Sequence, residues 1–248
     1  MLEQDVAGTA LVAEPMESAF YDPDNSSAIM RVANFPDAIL PLLQMESLVT
    51  RETATVFGCG VIVEIGCYDG RALEVARFAG TRYLGIDINE HAISILRRRI
   101  RQEGLAGMAD AITANVLEHR KWSGAVGGAK PLYLLPFNLL GNFRDPKQIL
   151  QALARVGGIV VISVFNSSLV ATEIRRSYYR RCGVGELQEM TAPRGGVLFT
   201  GADGFYSQSF DEAGIRELVQ ECGATLLRWA TNHIGHCATV LLADTAAQ

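Results

Sequence analysis

The residues best placed to do chemistry follow one apolar run. Val61-Ile62-Val63-Glu64-Ile65 reads as a buried strand, and Gly66-Cys67-Tyr68-Asp69-Gly70 comes directly after it. A glycine turn at the end of a buried strand lets backbone approach a ligand closely. The helix predicted over Arg71–Phe78 then offers free N–H groups to an anionic part of that ligand. A second predicted strand, Arg82–Ile86, leads into Asp87. An acid about 20 residues beyond such a turn, at the tip of the second strand of a doubly wound sheet, accepts hydrogen bonds from ribose hydroxyls. Glu64, at the end of the first strand, either caps neighbouring backbone N–H groups or belongs to the same site. Both roles serve a ligand held at the turn.

These residues need a scaffold, and the rest of the chain supplies the pattern for one. Helices are predicted over Asn89–Arg101 and Lys147–Arg155, and strands over Ala109–Ala114, Pro131–Pro136 and Gly158–Val164. Ile93, Leu96 and Ile100 recur on one face of the first of these helices, as helical periodicity requires. Strands alternating with helices predict a parallel sheet covered on both faces. The end of the chain breaks this rhythm. After a helix over Glu212–Cys222, strands over Ala224–Thr231 and Cys237–Ala243 are joined by a loop too short for a crossover, so they must be antiparallel. A glycine-rich stretch with Phe199, Phe205 and Tyr206 reads as an inserted hairpin near 191–210. The first 54 residues carry Pro15, Pro23, Pro36 and Pro41 and read as short helices separated by turns.

Composition narrows the function classes. The 248 residues are 49% hydrophobic and 20% charged, with a formal net charge of -5. That argues against a broad electrostatic grip on nucleic acid. The densest basic run, Arg97-Arg98-Arg99-Ile100-Arg101, falls at a helix C-terminus, where cations complement the dipole. The most apolar stretch, Gly157–Phe165, is far shorter than the roughly 20 residues a membrane span takes. Five scattered cysteines form no C-x-x-C pair, and Met1–Asp5 lacks the features of a signal peptide. The expectation is a cytoplasmic protein with reduced thiols, no bound metal, no nucleic-acid or membrane partner, and a homodimer left open.

With turn, acid and terminal hairpin in this order, the sequence resembles the class I S-adenosylmethionine-dependent methyltransferases over roughly residues 58–244. Their acid-x-Gly-x-Gly-x-Gly motif matches Glu64-Ile65-Gly66-Cys67-Tyr68-Asp69-Gly70, with Tyr68 in place of the middle glycine. A nicotinamide-binding domain also uses a glycine turn and a ribose acid, but its fingerprint is G-x-G-x-x-G, whereas the spacing from Gly66 is G-x-x-x-G. The resemblance implies a Rossmann-like, seven-stranded, mostly parallel α/β sheet with a terminal antiparallel hairpin. The first 54 residues are expected to form an N-terminal helical cap or lid, and residues 55–248 a cofactor-binding methyltransferase domain with the inserted hairpin. S-adenosylmethionine is the implied cofactor. Glu64, Gly66, Cys67, Tyr68 and Gly70 would form its turn. Asp87 would hold the ribose, Asn115 and Val116 the adenine with Ile88 packed on the ring, and Gly66 and Phe137 the methionine portion.

Methyl transfer from a sulfonium demands mainly positioning, and a base only if the acceptor must lose a proton. Substrate groups belong at the C-terminal ends of the strands. That edge is expected to present Asn138, Asn142 and Asn166, together with the loop carrying His233 and His236. Tyr178 and Tyr179 follow the fifth strand. The candidate catalytic residues are therefore His233, His236 and Tyr178, against ordinary loop and packing roles. Tyr21, Asn138, Asn142, Asn166, Tyr179 and Tyr206 are candidate substrate contacts. Pro136-Phe137-Asn138-Leu139 is not the Asn/Asp-Pro-Pro-Tyr/Phe motif of methyltransferases acting on nucleobases or glutamine. The expected acceptor is a small molecule, of secondary-metabolite or amino-acid-derived type, methylated at N, O or C. Two rivals are cyclisation or rearrangement without methyl transfer, and a non-catalytic partner subunit of the same fold.

Overall fold

A computed structural model describes residue 29 and residues 34–243. The chain's central sheet runs β1 (Val61–Ile65), β2 (Arg82–Asp87), β3 (Ala109–Thr113), β4 (Pro131–Leu135) and β5 (Ile159–Phe165), then closes with β9 (Thr225–Thr231) and β10 (Gly235–Leu241). The strand order is β3-β2-β1-β4-β5-β10-β9. The first five strands are parallel, and β10 pairs antiparallel with both β5 and β9. All residues of β1, β4 and β5 are buried, as expected for strands covered on both faces.

The helices α1 (Leu40–Val56), α2 (Leu73–Ala79), α3 (Glu90–Gln102), α4 (His119–Val126), α5 (Lys147–Ala154), α6 (Leu169–Arg181) and α7 (Glu212–Glu221) surround this sheet. Val49 of α1, Leu73 of α2 and Leu96 of α3 pack with Ile62, Leu132 and Val161 on one face. Trp122 of α4, Leu153 of α5 and Leu218 of α7 pack with Val63, Tyr133 and Val160 on the other. Alternate residues of each strand thus feed opposite cores, the period-two rule of a strand. Caps set the helix starts: Asn89 accepts from Ala92 N at 3.0 Å, Ser168 from Ala171 N at 3.1 Å and Asp211 from Gly214 N at 2.7 Å.

Three features differ from the sequence reading. The end of the region expected as short helices is one 17-residue helix, α1, which starts beside Pro41 and runs past residue 54. The inserted hairpin is a three-stranded antiparallel sheet, β6 (Gln188–Thr191), β7 (Val197–Thr200) and β8 (Tyr206–Gln208), with β7 in the middle. β6 is exposed along its whole length and carries little apolar pattern, which hides it in the sequence. Helix α4 is the other addition. It spans eight residues, contains Gly124 and buries only Trp122 and Val126, too little periodicity to read. The five cysteines form no disulfide among the described residues. Among the described residues, no helix is long and apolar enough to cross a membrane.

Candidate active site

The C-terminal ends of β1 to β4 open into one cleft. Its wall is assembled from four turns. Ile65, Gly66 and Tyr68 come from the end of β1, Asp87, Ile88 and Asn89 from β2, and Ala114, Asn115 and Val116 from β3. Pro136, Phe137, Leu139, Asn142 and Phe143 come from β4, and Ile29 closes the wall from the N-terminal segment.

The β1 turn is tight because its donors are spoken for. Gly66 N and Cys67 N both donate to Ile86 O, at 2.7 and 3.2 Å. Gly66 and Gly70 sit at φ +64° and +81°. A Cβ on Gly70 would lie 2.4 Å from Leu96 Cδ1, so both conformation and space call for glycine there. Tyr68 takes the middle-glycine position at φ +47° and still fits, with its N–H donating to Asp87 Oδ2 at 2.8 Å. Behind the turn, Glu64 is 1% exposed and accepts from Ala72 N at 3.0 Å and Tyr83 Oη at 2.7 Å. Burial pushes its carboxyl up to about 7, against the pull of Arg71 and of the Tyr83 and Ala72 bonds.

Asp87 Oδ1 accepts from Asn89 N at 2.9 Å, and Oδ2 takes Tyr68 N. Each carboxylate oxygen keeps a further lone pair for the cleft. Burial raises the Asp87 pKa above the ordinary carboxylate range, and the N–H groups of Asn89, Tyr68 and Ile88 counter it. Asn115 Oδ1 accepts from Leu117 N at 2.9 Å in an Asx-type turn that presents the side chain to the wall.

The β4 turn is held from two sides. Phe137 and Asn138 are consecutive left-handed residues, at φ +43° and +63°. Phe137 N donates to Glu46 Oε2 at 2.7 Å. Asn138 Nδ2 donates to Ser207 Oγ and Gln208 O, both at 3.0 Å, and its Oδ1 accepts from Phe165 N at 3.1 Å. Glu46 is a residue the sequence reading missed. Its one signal is an acid in the buried stripe Leu42, Glu46, Val49, Thr53 of α1, at helical spacing.

The predicted site residues therefore divide. Gly66, Tyr68, Asp87, Ile88, Asn115, Val116, Phe137 and Asn142 share the cleft. Glu64, Cys67 and Gly70 do not reach it. Glu64 and Gly70 shape the turn from behind, and the Cys67 side chain is buried in the core under α2 and α3. Asn138 is a clamp whose amide is fully used within the fold. Asn166 is likewise consumed, donating to Asn232 O at 3.2 Å and accepting from Ser168 N at 3.0 Å. Tyr178 lies behind the wall, its ring 5.7 Å from that of Phe137 and its hydroxyl donating to Ile29 O. Burial drives its pKa far up. Tyr179 is turned toward the small sheet and bonds Ser207 Oγ at 2.7 Å. Tyr206 packs in that sheet beneath Arg144. His236 bonds Thr231 Oγ1 at 2.8 Å and stacks on Trp229, and burial lowers its pKa. His233 is exposed and contributes its carbonyl to Ser168 Oγ. Neither histidine lines the cleft, because β10 and β9 lie beyond β5 at the far side of the sheet. Tyr21 falls outside the described residues.

Among the described lining residues only Asp87 and Tyr68 are titratable. The arrangement can bind and orient a nucleoside through one carboxylate, side-chain amides and a tight backbone turn, and can exclude water with its apolar lining. That donor and acceptor set fits the adenosine and amino-acid ends of S-adenosylmethionine, whose sulfonium supplies an already activated methyl.

A parallel sheet ending in an antiparallel strand pair, with its cleft over the first four strands, is the Rossmann-like methyltransferase fold. Solved structures agree. A Burkholderia thailandensis 1,6-didemethyltoxoflavin-N1-methyltransferase, with bound 1,6-didemethyltoxoflavin and S-adenosylhomocysteine, is 15% identical with TM-score 0.56, over 90% of this chain and 91% of that one. Magnesium protoporphyrin IX methyltransferase from Synechocystis, with bound S-adenosylhomocysteine, is 15% identical with TM-score 0.53, over 82% and 85%. An S-adenosylmethionine-dependent methyltransferase from Methanosarcina mazei is 19% identical with TM-score 0.52, over 74% and 92%. No curated protein sequence matches this one. A family model described as a methyltransferase domain matches residues 43–228, and the chain belongs to that family. It is an S-adenosylmethionine-dependent methyltransferase with S-adenosylmethionine as cofactor.

Proposed function

We propose that the enzyme methylates a small molecule, of secondary-metabolite or amino-acid-derived type, at an N, O or C atom. The observation that carries this reading is the largely apolar lining of the cleft, to which Ile29, Phe137, Leu139 and Phe143 contribute. A lining of that kind suits a flat or apolar acceptor and excludes water from the reacting centre. The structural neighbours acting on 1,6-didemethyltoxoflavin and on a porphyrin support the same class.

In this reading Asp87 receives the ribose hydroxyls, Asn115 and Val116 hold adenine, and Ile88 packs on its ring. Gly66 and the Phe137 backbone take the methionine portion. Tyr68 covers the cofactor where the middle glycine of the motif would leave it open. The N-terminal segment acts as a lid, with Ile29 on the wall and its carbonyl held by Tyr178. Catalysis then rests on positioning, which supplies up to about 7–11 kcal/mol of barrier reduction in well-oriented systems. The acceptor arrives as a nucleophile that needs no side-chain base, or loses its proton to water.

The test is incubation with methyl-labelled S-adenosylmethionine and a panel of amines, phenols, heterocycles and amino-acid derivatives. Label transferred to a panel member, with stoichiometric S-adenosylhomocysteine, supports the proposal. Label transferred only to protein or nucleic acid overturns it.

A further inference from the structure

We infer that Glu46 is a positioning residue for the methionine end of the cofactor, bracing with one carboxylate the two turns that receive it. This rests on the cofactor placement proposed above. Glu46 belongs to α1, which precedes every strand of the sheet, yet it is 2% exposed and aimed at the cleft's back wall. Its Oε1 pairs with Arg71 Nη2 at 2.7 Å, and its Oε2 accepts Phe137 N at 2.7 Å.

Arg71 directly follows Gly70, the last residue of the β1 turn. Phe137 opens the β4 turn. The two loops are otherwise joined by side-chain contact alone. Leu139 lies so close that a Cβ on Gly66 would meet its Cδ1 at 3.0 Å, and the Arg71 guanidinium stands 5.6 Å from the centre of the Phe137 ring. Glu46 turns that apposition into a fixed distance.

The Phe137 conformation shows why a brace is needed. A non-glycine residue at φ +43° persists only where its surroundings over-determine it. Asn138, the next residue, is secured by its own three amide bonds to Ser207, Gln208 and Phe165. The carbonyl of the Pro136–Phe137 peptide accepts from Leu139 N at 2.8 Å within the turn, and its N–H is held by Glu46. A buried carboxylate needs one strong partner, and Arg71 supplies it. The second oxygen is directed at a main-chain N–H on the ligand wall, which a purely charge-neutralising pair does not require.

The test separates positioning from general support with two probes. S-adenosylhomocysteine carries the amino-acid portion, and 5′-methylthioadenosine lacks it. Calorimetric titration of Glu46→Ala should show S-adenosylhomocysteine affinity reduced about tenfold or more, with 5′-methylthioadenosine affinity within about twofold of the parent protein. Glu46→Asp keeps the charge but draws the carboxylate back from Phe137, and should show the same selective loss. It carries the test if Glu46→Ala does not fold. Equal loss of both affinities would mean that Glu46 merely supports the fold, and no change in either would mean that it does not act on the site. Both results overturn the inference. If the parent protein binds neither probe, the cofactor placement itself falls, and this inference falls with it.

Discussion

The Tyr68 main chain and the Asp87 side chain are joined across two parallel strands, Tyr68 N donating to Asp87 Oδ2 at 2.8 Å. The acid at the tip of β2 is thereby oriented by the very turn that follows β1, and the two turns hold each other in register at the cleft. Asp87→Ala removes both the cleft-facing oxygens and the anchor of Tyr68. S-adenosylhomocysteine affinity should fall at least tenfold, about the 1.5–3 kcal/mol of hydrogen bonds to a charged group. Calorimetry measures it, and unchanged affinity would remove Asp87 from the ribose site. Because burial raises the Asp87 pKa, binding by the parent protein should weaken on acidification before an ordinary aspartate would titrate.

Glu64 makes a prediction about stability. Its carboxyl moves from 4.5 to about 7 on burial. The folded chain therefore holds a proton that the unfolded chain has released, and stability must fall as pH rises through that interval. Above about 7 the penalty is constant, and below about 4.5 it vanishes. Glu64→Gln mimics the protonated form and lacks this dependence. The variant should gain on the parent by about 3 kcal/mol between pH 4.5 and 7.5, read as diverging denaturant midpoints. Parallel curves across that range would show that Glu64 does not carry the proton.

Asn138 was expected at the substrate and is found holding the β4 turn to β5 and β8. Asn138→Ala orphans the buried Phe165 N–H and places an alanine at φ +63°. The expected cost is about 3 kcal/mol of unfolding free energy, from an unsatisfied buried donor and left-handed strain. Chemical denaturation of the variant checks this. A loss under about 0.5 kcal/mol, with acceptor turnover abolished, would return Asn138 to the substrate.

The contrast between Asp87 and Asn138 explains what the sequence made legible. The glycine turn, the acid after β2, the amide after β3 and the terminal strand pair are set by local pattern and by the alternation of strand and helix. Each can be read within a window of one βαβ unit. The partners of Asn138 lie 69 and 70 residues away in the small sheet, and that of Phe137 lies 91 residues away in α1. No periodicity reports such pairings. The same blindness affects Tyr178 and Tyr179. Adjacent in sequence on α6, both are buried, but one hydroxyl turns to Ile29 and the other to Ser207. An amide or phenol at a sheet's active edge has the same type and spacing whether it faces a ligand or a neighbouring loop.

The loop histidines give the last prediction. His233 and His236 sit at the active edge by topology, yet β10 and β9 carry them past β5 and away from the cleft. His236 is occupied by Thr231 and Trp229, and its lowered pKa follows from burial before any effect of nearby acids. His233 is in solvent. His233→Ala should leave S-adenosylhomocysteine affinity and label transfer within about twofold of the parent, as for a surface position. His236→Ala should cost a modest amount of stability, through the lost stacking and the lost Thr231 bond, with the same unchanged transfer per folded molecule. A pH–rate profile completes the comparison. A general base among these residues would impose an inflection that disappears in the variant. Positioning alone leaves that inflection identical in all three proteins, since whatever titrates is then the acceptor itself or Asp87. Loss of transfer in His233→Ala with cofactor affinity intact would restore this loop to the chemistry, and would require it to close over the Ile29 side of the cleft when the acceptor binds.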